Sequence, residues 1–344
     1  MTPVAIKDAF TYQSGACTSL GSPFMGRLMQ LCAQMPWPEG AVTDRIFAWQ
    51  GDISPRGQSV PLRLAGALHA LHLNGNAVLG AVYPPQDASD TVLWDAVSAT
   101  LITEERHINA WLDNAPQTNE VRRSAVLIAV GHLLSARFGL PIRTSELGAS
   151  GGLNIHWDSY GLDLNGAEFG NPAPVLTLRP QWSGPLPPQT PIEVASRGGV
   201  DLHPLIPANP DHALRLQAYL WPDQPERLTL TRAAITAAKT PVTKGDAIDW
   251  LADRLALQTG QVHLIYSTVA WQYFPAEKQA MGAKLIAAAG AVATKDSPLA
   301  WFGMENDGGE RGAALTLRLW PGDHTINLGR ADFHGRWIEW RSIA

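Results

Sequence analysis

The sequence predicts an α/β protein in which an all-α N-terminal domain precedes a mainly parallel sheet that ends in an antiparallel hairpin. Up to about residue 140, apolar residues recur at helical spacing and convincing strands are absent. After Gly139, short apolar segments alternate with helical ones, which is typical of a parallel sheet. Near the end of the chain, the short turn Pro321–His324 joins two apolar segments and predicts the hairpin. A length of 344 residues fits two domains, 1–140 and 141–344.

The composition indicates a folded protein without a nucleic-acid or membrane surface. Hydrophobic residues make up 45% and charged residues 17%, which excludes the disordered class. A net charge of −5 does not provide the positive surface that binds nucleic acid. No apolar segment is long enough to span a bilayer. Two cysteines exclude a disulfide scaffold and a cysteine-based zinc site. Since the first residues also lack a signal-peptide layout, we expect a soluble, cytoplasmic protein whose partner is a small molecule.

The N-terminal domain is predicted to contain helices whose apolar residues share one face. Thr118 or Asn119 is expected to cap the last of them, and Gly139 to end it. Cys17 and Cys32 are expected in one N-terminal helical stretch. The predicted helices are Pro23–Gln34, Pro61–Asn74, Thr91–Leu112 and Thr118–Phe138.

The C-terminal domain is predicted to contain five strands before the hairpin. A Pro- and Gly-rich insertion at about residues 165–191 is expected to lie outside the sheet. The predicted strands are Arg143–Leu147, Ile192–Asp201, Val242–Gly245, Val262–Ser267 and Leu299–Glu305, followed by the hairpin strands Ala314–Trp320 and Thr325–Gly329 at the sheet edge. The predicted helices are one that starts after Gly152, then Pro210–Ala238, Ala247–Gln258 and Ala276–Gly290.

A glycine-containing loop follows the first predicted strand, in the sequence Glu146-Leu-Gly148-Ala-Ser150-Gly-Gly152. Glycine allows a tight turn and a close approach of the backbone to a ligand, and a helix after the loop would point its N–H groups at that ligand. The loop is therefore a candidate cofactor loop, although a simple tight turn remains an alternative.

The same loop also matches G-x-S-x-G, the nucleophile elbow of α/β-hydrolases. In that interpretation Ser150 is the nucleophile, and Asp246 with His324 or His334 completes a triad. A hydrolase elbow normally follows several strands, whereas the sequence upstream of this loop is helical. The hydrolase is therefore the less favoured alternative.

Carboxylates at three predicted strand ends favour a nucleotide-type ligand. Glu146 stands just before the glycine loop, Asp201 ends the second strand, and Asp246 follows the third. Ligands of open α/β sheets bind at the carboxyl ends of the strands, and an acidic residue after the second strand commonly binds ribose hydroxyls. A hydrolase has no use for Glu146, whereas a cofactor amino or hydroxyl group does.

Four further residues are candidates for contact with the substrate or the cofactor. Asn119 and Glu120 open the helix that leads into the glycine-loop strand, where they would either cap that helix or face the cleft. Trp271 and Tyr273 follow the fourth strand and are candidates for substrate contact.

Histidines provide weaker candidates. His69 and His72 lie three positions apart on a helix, but no third ligand has a matching spacing, so no metal site is predicted. His203 follows Asp201 closely and is a candidate general base at the mouth of the cleft.

The C-terminal half resembles class I S-adenosylmethionine-dependent methyltransferases in the residues quoted above, in Gly245-Asp246-Ala247 and in the terminal hairpin. This resemblance implies a Rossmann-like sheet. It further implies that Glu146, Gly148, Ser150, Gly152 and Asn154 form the loop for the amino-acid end of the cofactor, that Asp201 binds the ribose, and that Asp246 with Ala247 binds the adenine.

The whole chain is similar to a prokaryotic family known only as a domain of unknown function. The expected function is that of a methyltransferase acting on a small molecule, with the helical domain as a cap over the cleft. The alternative is a non-catalytic ligand-binding protein of the same fold. The similarity rests on Gly21-Ser22-Pro23, Gln117–Val121, Glu146–Ser150, Gly152–Asn154, Asp201-Leu202 with Pro204, Trp221-Pro222 and Gly245–Ala247.

Overall fold

The computed structural model describes residues 2–55, 57–309 and 311–341. It has helices at the N-terminus and a large, mainly parallel sheet, so the predicted mixed α/β class is confirmed. The chain forms two compact units. A helical unit comprises the described residues before Asn119 together with Asn209–Thr229, and a sheet unit comprises Asn119–Ala208 and the described residues from Leu230 onward.

The boundary between these units differs from the predicted one near residue 140. The helix Ser124–Phe138 belongs to the sheet unit, and every residue from Ser124 to Ser135 is buried. A helix that is apolar on all sides has to be surrounded by protein. Conversely, Asn209–Thr229 belongs to the helical unit, because Trp221 packs into the helical core and the Ala218 carbonyl accepts a hydrogen bond from His69 at 3.1 Å.

The α-helices are numbered in chain order. None of the described helices combines the length and the apolar character that a membrane span requires. They are α1 (Val4–Ser19), α2 (Pro23–Gln34), α3 (Ala41–Phe47), α4 (Val60–Leu73), α5 (Ala77–Gly80), α6 (Asp90–Thr103), α7 (Glu105–Leu112), α8 (Ser124–Phe138), α9 (Pro210–Ala218), α10 (Pro225–Ala237), α11 (Ala247–Ala252) and α12 (Ala276–Ala291), with 3₁₀-helices at Val121–Arg123, Leu153–Ser159 and Trp271–Tyr273.

Several predicted helices are present with different limits. The prediction of one helix over 91–112 was wrong, since α6 ends at Thr103 and α7 begins at Glu105. The predicted helix 210–238 is divided into α9 and α10, and Pro222 and Pro225 stand at the division, where proline cannot continue a helix. The predicted helix 247–258 ends early, at Ala252.

The two cysteines lie on different helices, not on one helical stretch as predicted. Cys17 is on α1 and Cys32 is on α2. Gly21 separates these helices with a φ of +86°, a left-handed conformation that favours glycine. Both thiols are buried and free.

The strands are also numbered in chain order. The five strands predicted before the hairpin are present as β1, β6, β7, β8 and β9. All strands are β1 (Ile142–Leu147), β2 (Gly161–Leu164), β3 (Ala167–Gly170), β4 (Thr177–Leu178), β5 (Gln181–Ser183), β6 (Val194–Asp201), β7 (Thr243–Lys244), β8 (Val262–Thr268), β9 (Leu299–Glu305), β10 (Ala313–Trp320), β11 (His324–Ala331) and β12 (Trp337–Trp340).

The large sheet has the strand order β5-β12-β11-β10-β9-β8-β1-β6-β7. Strands β7, β6, β1, β8 and β9 are parallel, and β10, β11 and β12 continue the sheet in antiparallel pairs. The predicted hairpin is confirmed as β10 and β11. Its predicted place at the sheet edge was wrong, because β12 and β5 lie beyond it.

The predicted insertion lies only partly outside the large sheet. Strands β2, β3 and β4 form a separate three-stranded sheet. Strand β5, however, pairs in parallel with β12 and forms one edge of the large sheet. The extra length between the glycine loop and Asp201 is thus taken up by a small sheet and one edge strand.

The two faces of the large sheet are covered differently. One face carries the larger core, in which α8 packs with Tyr266, Phe302 and Met304. The other face carries a smaller core around Leu147, Ile265 and Leu299, to which α12 contributes Ile286. Successive residues of a strand point to opposite faces. The neighbours of a residue in the larger core therefore belong to the face of the smaller core, and the reverse also holds.

Candidate functional site

The candidate site lies where the order of the parallel strands reverses. The chain moves from β1 outward to β6 and β7, and then returns to the other side of β1 to form β8 and β9. In open α/β sheets, ligands bind outside the carboxyl ends of the strands at such a reversal. The glycine loop follows β1 and the segment Val269–Phe274 follows β8, so both border this point. Gly148 packs so closely there that a Cβ atom on it would lie 2.5 Å from the Cβ of Ala270.

The glycine loop is fastened to the end of β6 through its backbone. The N–H groups of Gly148 and Ala149 donate to the carbonyl of Val200 at 3.0 and 2.9 Å. The Ser150 N–H donates to Asp201 Oδ2 at 2.8 Å. These three donors are therefore used within the protein, so a ligand at this loop would contact mainly side chains.

Three loop residues have left-handed backbone conformations, with φ of +75° at Gly148, +54° at Ser150 and +73° at Gly152. Glycine adopts this conformation without strain, whereas serine does so at a cost. Ser150 is also 6% exposed, and its Oγ has no hydrogen-bond partner in the structure. Strained residues and unsatisfied buried polar atoms are features of functional sites.

The helix predicted after Gly152 is not an α-helix. Leu153–Ser159 is a 3₁₀-helix with non-helical dihedral angles at His156. The Tyr160 hydroxyl donates to the Leu153 carbonyl at 2.6 Å, which closes this segment before β2 begins. The Leu153 N–H is bound to Asn119 Oδ1 at 2.9 Å. The expected array of helix N–H groups facing a ligand was therefore wrong.

Glu146 is the most unusual group at the site. Glu146 is 2% exposed, and the one hydrogen bond that its side chain receives from the described residues is from the Tyr266 hydroxyl to Oε2, at a long 3.5 Å. Burial raises the pKa of the Glu146 carboxyl well above its ordinary value, and the charge of Asp201 adds to this effect. The Tyr266 hydrogen bond and the charge of Arg123 lower the pKa without offsetting the burial. A buried carboxyl group with so little hydrogen bonding is costly unless a ligand supplies donors.

The other two predicted carboxylates have structural partners. Besides Ser150, Asp201 accepts the N–H of His203 at 2.9 Å, so it shapes both the glycine loop and the following turn while remaining partly exposed. Asp246 caps α11 by accepting the N–H groups of Ile248 and Asp249, and it forms an ion pair of 3.2 Å with Lys278. Ala247 packs against the core that contains Leu147.

Asn119, Glu120 and Asn154 lie together beside the exit of the glycine loop. Asn154 Nδ2 donates to the Glu120 carbonyl at 3.2 Å, and its Oδ1 accepts from the Ser124 hydroxyl at 2.8 Å. Glu120 caps the 3₁₀-helix Val121–Arg123 and pairs with Arg122 at 3.4 Å, so the predicted cap at Thr118 or Asn119 was wrong. These buried side chains fix the loop, and their predicted ligand contacts stay predictions.

Sequence reasoning missed the roles of two residues next to the end of β8, Val269 directly after the strand and Arg123 from the 3₁₀-helix Val121–Arg123. Val269 has a φ of +56°, a rare conformation for a β-branched side chain. The Arg123 guanidinium is buried and donates to the Thr268 and Phe333 carbonyls at 2.9 and 2.8 Å. No local pattern marks Val269, since its conformation follows from contacts made after folding. The carbonyl partners of Arg123 are likewise distant in sequence.

Trp271 and Tyr273 lie on the 3₁₀-helix after β8, and they differ in environment. Trp271 is half-buried and contacts Trp301 with 5.2 Å between the ring centroids. Tyr273 is 73% exposed. The structure thus places Trp271 in a packed aromatic pair and leaves Tyr273 on the surface.

The hydrolase interpretation lacks its catalytic contacts. Ser150 Oγ has no hydrogen-bond partner, and Asp246 is bound to α11 and Lys278. His324 begins β11, four strands from β1 in the sheet, or about 19 Å at the usual strand spacing. His334 follows β11 and is not bonded to Ser150.

We therefore expect no covalent labelling of Ser150 by a fluorophosphonate probe in the folded protein, because no general base contacts its hydroxyl. Intact-mass spectrometry and peptide mapping after exposure to the probe would measure this. Stoichiometric labelling at Ser150, abolished in Ser150→Ala, would instead support the hydrolase.

The remaining histidines have structural environments. His69 is bonded to Ala218 and stacks on His72 with 6.0 Å between centroids. No group of three or more metal-ligating side chains occurs among the residues that the structure describes. His203 has its N–H bound to Asp201, in the turn after β6.

Comparison with known proteins identifies the family. The model of a family described as "uncharacterized protein conserved in bacteria" (DUF2332) matches residues 7–340, so the chain belongs to this family, as predicted. No curated protein and no solved structure matches the chain. The resemblance to methyltransferases stays a prediction.

Proposed function

We propose that the sheet unit is a Rossmann-like unit that binds S-adenosylmethionine at the carboxyl ends of β1, β6 and β8, and that the chain is a methyltransferase for a small molecule. The observation that carries the proposal is the Glu146 carboxyl at the reversal of the strand order. It is buried, it accepts one long hydrogen bond, and a donor from a ligand would complete its environment.

The residues at the reversal fit part of the expected cofactor. Glu146 suits an ammonium or hydroxyl donor, the unpartnered Ser150 hydroxyl offers a further polar contact, and Asp201 keeps a partly exposed carboxylate at the end of β6. Asp246 and Asn154 fit less well, because their side chains are already bound within the protein. The proposal therefore gives direct cofactor contacts to Glu146, Ser150 and Asp201, and structural support to the other two.

The cofactor supplies a methyl group on a positively charged sulfur, so the protein has mainly to align the acceptor and exclude water. Glu146 would ionise on pairing with a cationic group, since an opposite charge lowers the pKa of a carboxyl. Binding should then release a proton from Glu146. The affinity should consequently rise with pH until the Glu146 carboxyl is ionised in the free protein.

Titration calorimetry with S-adenosylhomocysteine tests this proposal on the full chain. We expect saturable binding at one site, weakened at least about tenfold in Glu146→Gln, because a hydrogen bond to a charged group contributes about 1.5–3 kcal/mol. Glu168→Gln makes the same chemical change at an exposed position on β3 and serves as the control. Measurements in buffers of different ionisation enthalpy would show the proton release.

The outcomes separate the proposal from its alternatives. No binding of S-adenosylmethionine or S-adenosylhomocysteine would refute it. Binding without any turnover across a broad panel of acceptors would support the non-catalytic protein of the same fold. Equal binding by Glu146→Gln and the wild type would show that the cofactor does not contact Glu146.

A further inference from the structure

A cavity lies on the face of the sheet opposite to the Glu146 side chain. Its volume is about 320 Å³, and its wall includes Ser267, Trp271, Trp301 and Glu305. Glu146 contacts Tyr266, which belongs to the larger core. Tyr266, Phe302 and Met304 point into the larger core. Ser267, Trp301 and Glu305 are their direct neighbours along β8 and β9, so they point to the other face. The cavity thus lies on the other face of the sheet from the Glu146 side chain.

The cavity has an aromatic wall that is held in place. The Trp271 and Trp301 rings are 5.2 Å apart and inclined at 64°. On its other side, Trp271 packs against α12 at Gly282, where a Cβ atom would lie 2.8 Å from the indole ring. Gly303 lines the cavity between Trp301 and Glu305 and leaves space there, since the nearest atom to a Cβ on Gly303 would be Glu305 Cγ at 3.7 Å.

The cavity also carries one carboxylate without a cationic partner. Glu305 accepts the N–H groups of Ala270 and Trp271 at 3.2 and 3.1 Å, and that of Gln272 at 3.4 Å. Burial raises the pKa of the Glu305 carboxyl, whereas the Ser267 hydroxyl and these N–H donors lower it. No Lys, Arg or His in the described chain forms a salt bridge with it.

The other charges at the cavity occur in pairs. Asp307 binds Arg330 through two hydrogen bonds of 2.9 and 3.0 Å. Arg318 binds Asp323 through two of 2.5 and 2.9 Å. Glu305 is therefore the acidic group of the described wall that has no basic partner, and a bound cation would favour its ionised form.

We propose that this cavity binds a small organic ammonium ion, with its alkyl substituents against the Trp271 and Trp301 rings and its charge balanced by Glu305. Indole faces attract cations, and the attraction grows when water is excluded. An uncompensated carboxylate beside such rings favours a cation over a neutral molecule of equal shape. The volume suits a small ligand. The proposal does not depend on cofactor binding at the other face.

The test uses choline as the probe and 3,3-dimethyl-1-butanol as its uncharged isostere, each titrated into the full-length protein by calorimetry. We expect saturable binding of choline, with the isostere bound at least about tenfold more weakly. Gly303→Val should weaken choline binding at least tenfold, because its side chain fills the cavity while a β-branched residue suits a strand. Glu305→Gln should have a similar effect. Thr243→Val and Glu339→Gln, at exposed strand positions outside the cavity wall, are the controls.

Contrary results would overturn the proposal. These are absent choline binding, equal binding of choline and its isostere, or unchanged binding in Gly303→Val. If Glu305→Gln fails to fold because the backbone at 270–272 loses its anchor, the comparison of the two probes on the wild type still decides. Trp301→Phe gives a second measure, since a smaller aromatic face should reduce the preference for choline.

Discussion

Gly148→Ala is expected to lower the free energy of unfolding of the sheet unit by about 3 kcal/mol, and to abolish S-adenosylhomocysteine binding. A left-handed φ of +75° costs a residue with a Cβ about 1 kcal/mol. The new Cβ would also lie 2.5 Å from the Cβ of Ala270, and overpacking of this kind costs about 1–3 kcal/mol. Thermal and denaturant unfolding would measure the loss, which corresponds to a midpoint shift of roughly 6–12 °C for a unit of this size.

Two variants separate the causes of this loss. Gly139→Ala has a similar φ of +64° with no atom within 4 Å of the new Cβ, so it should cost only about 1 kcal/mol. Ala270→Gly removes the atom that clashes, and in combination with Gly148→Ala it should restore most of the difference. If the double variant is no more stable than Gly148→Ala, the contact between the loops after β1 and β8 is not as described.

Glu146→Gln is expected to gain stability relative to the wild type as the pH rises above about 4.3, even though it weakens cofactor binding. Below about pH 4.3 the carboxyl is neutral in both the folded and the unfolded chain. As the pH rises, the unfolded chain ionises while the buried Glu146 keeps its proton, because burial raises its pKa. Relative to the glutamine variant, the wild type should therefore lose up to about 1.4 kcal/mol per pH unit until the pH reaches the folded-state pKa.

Unfolding midpoints from pH 4 to pH 9 would measure this effect. The stability of the wild type relative to the variant should fall as the pH rises from 4, because only the unfolded chain ionises Glu146 readily. The exposed Glu168→Gln should show no such pH dependence. If the stability of the wild type relative to the variant instead stays constant or rises with pH, Glu146 is ionised and well paired in the folded protein, which contradicts the described environment.

The sequence predicted the strands of the parallel sheet well, because buried strands are short apolar runs between polar turns. Leu299–Glu305 is present with the predicted limits. The pairing of Gln181–Ser183 with β12 could not be predicted, since three residues carry too little pattern. The 3₁₀-helix after Gly152 depends on a bond between Tyr160 and Leu153 that propensity alone does not reveal.

The sequence predicted where the candidate site lies, but it did not predict most of the contacts that its side chains make. The sequence placed Glu146, Asp201 and Asp246 at strand ends because parallel strands share one carboxyl edge. It could not show that Asp246 forms an ion pair with Lys278 and accepts hydrogen bonds from the α11 backbone. Nor could it show that Asp201 accepts a hydrogen bond from the Ser150 N–H. Glu305 has no basic partner among the described residues because the neighbouring arginines bind other acids, and that follows from the folded arrangement.

The assignment of Asn209–Thr229 to the helical unit has a consequence for folding. The backbone passes from one unit to the other after Thr118, after Ala208 and again after Thr229. Neither unit is therefore a continuous stretch of chain, and no single cleavage of the backbone yields two complete units. The helical unit cannot be completed during synthesis until Thr229 has been made. A fragment that starts at Asn119 would contain Trp221 without the helices that bury it, so it should aggregate more readily than the full chain.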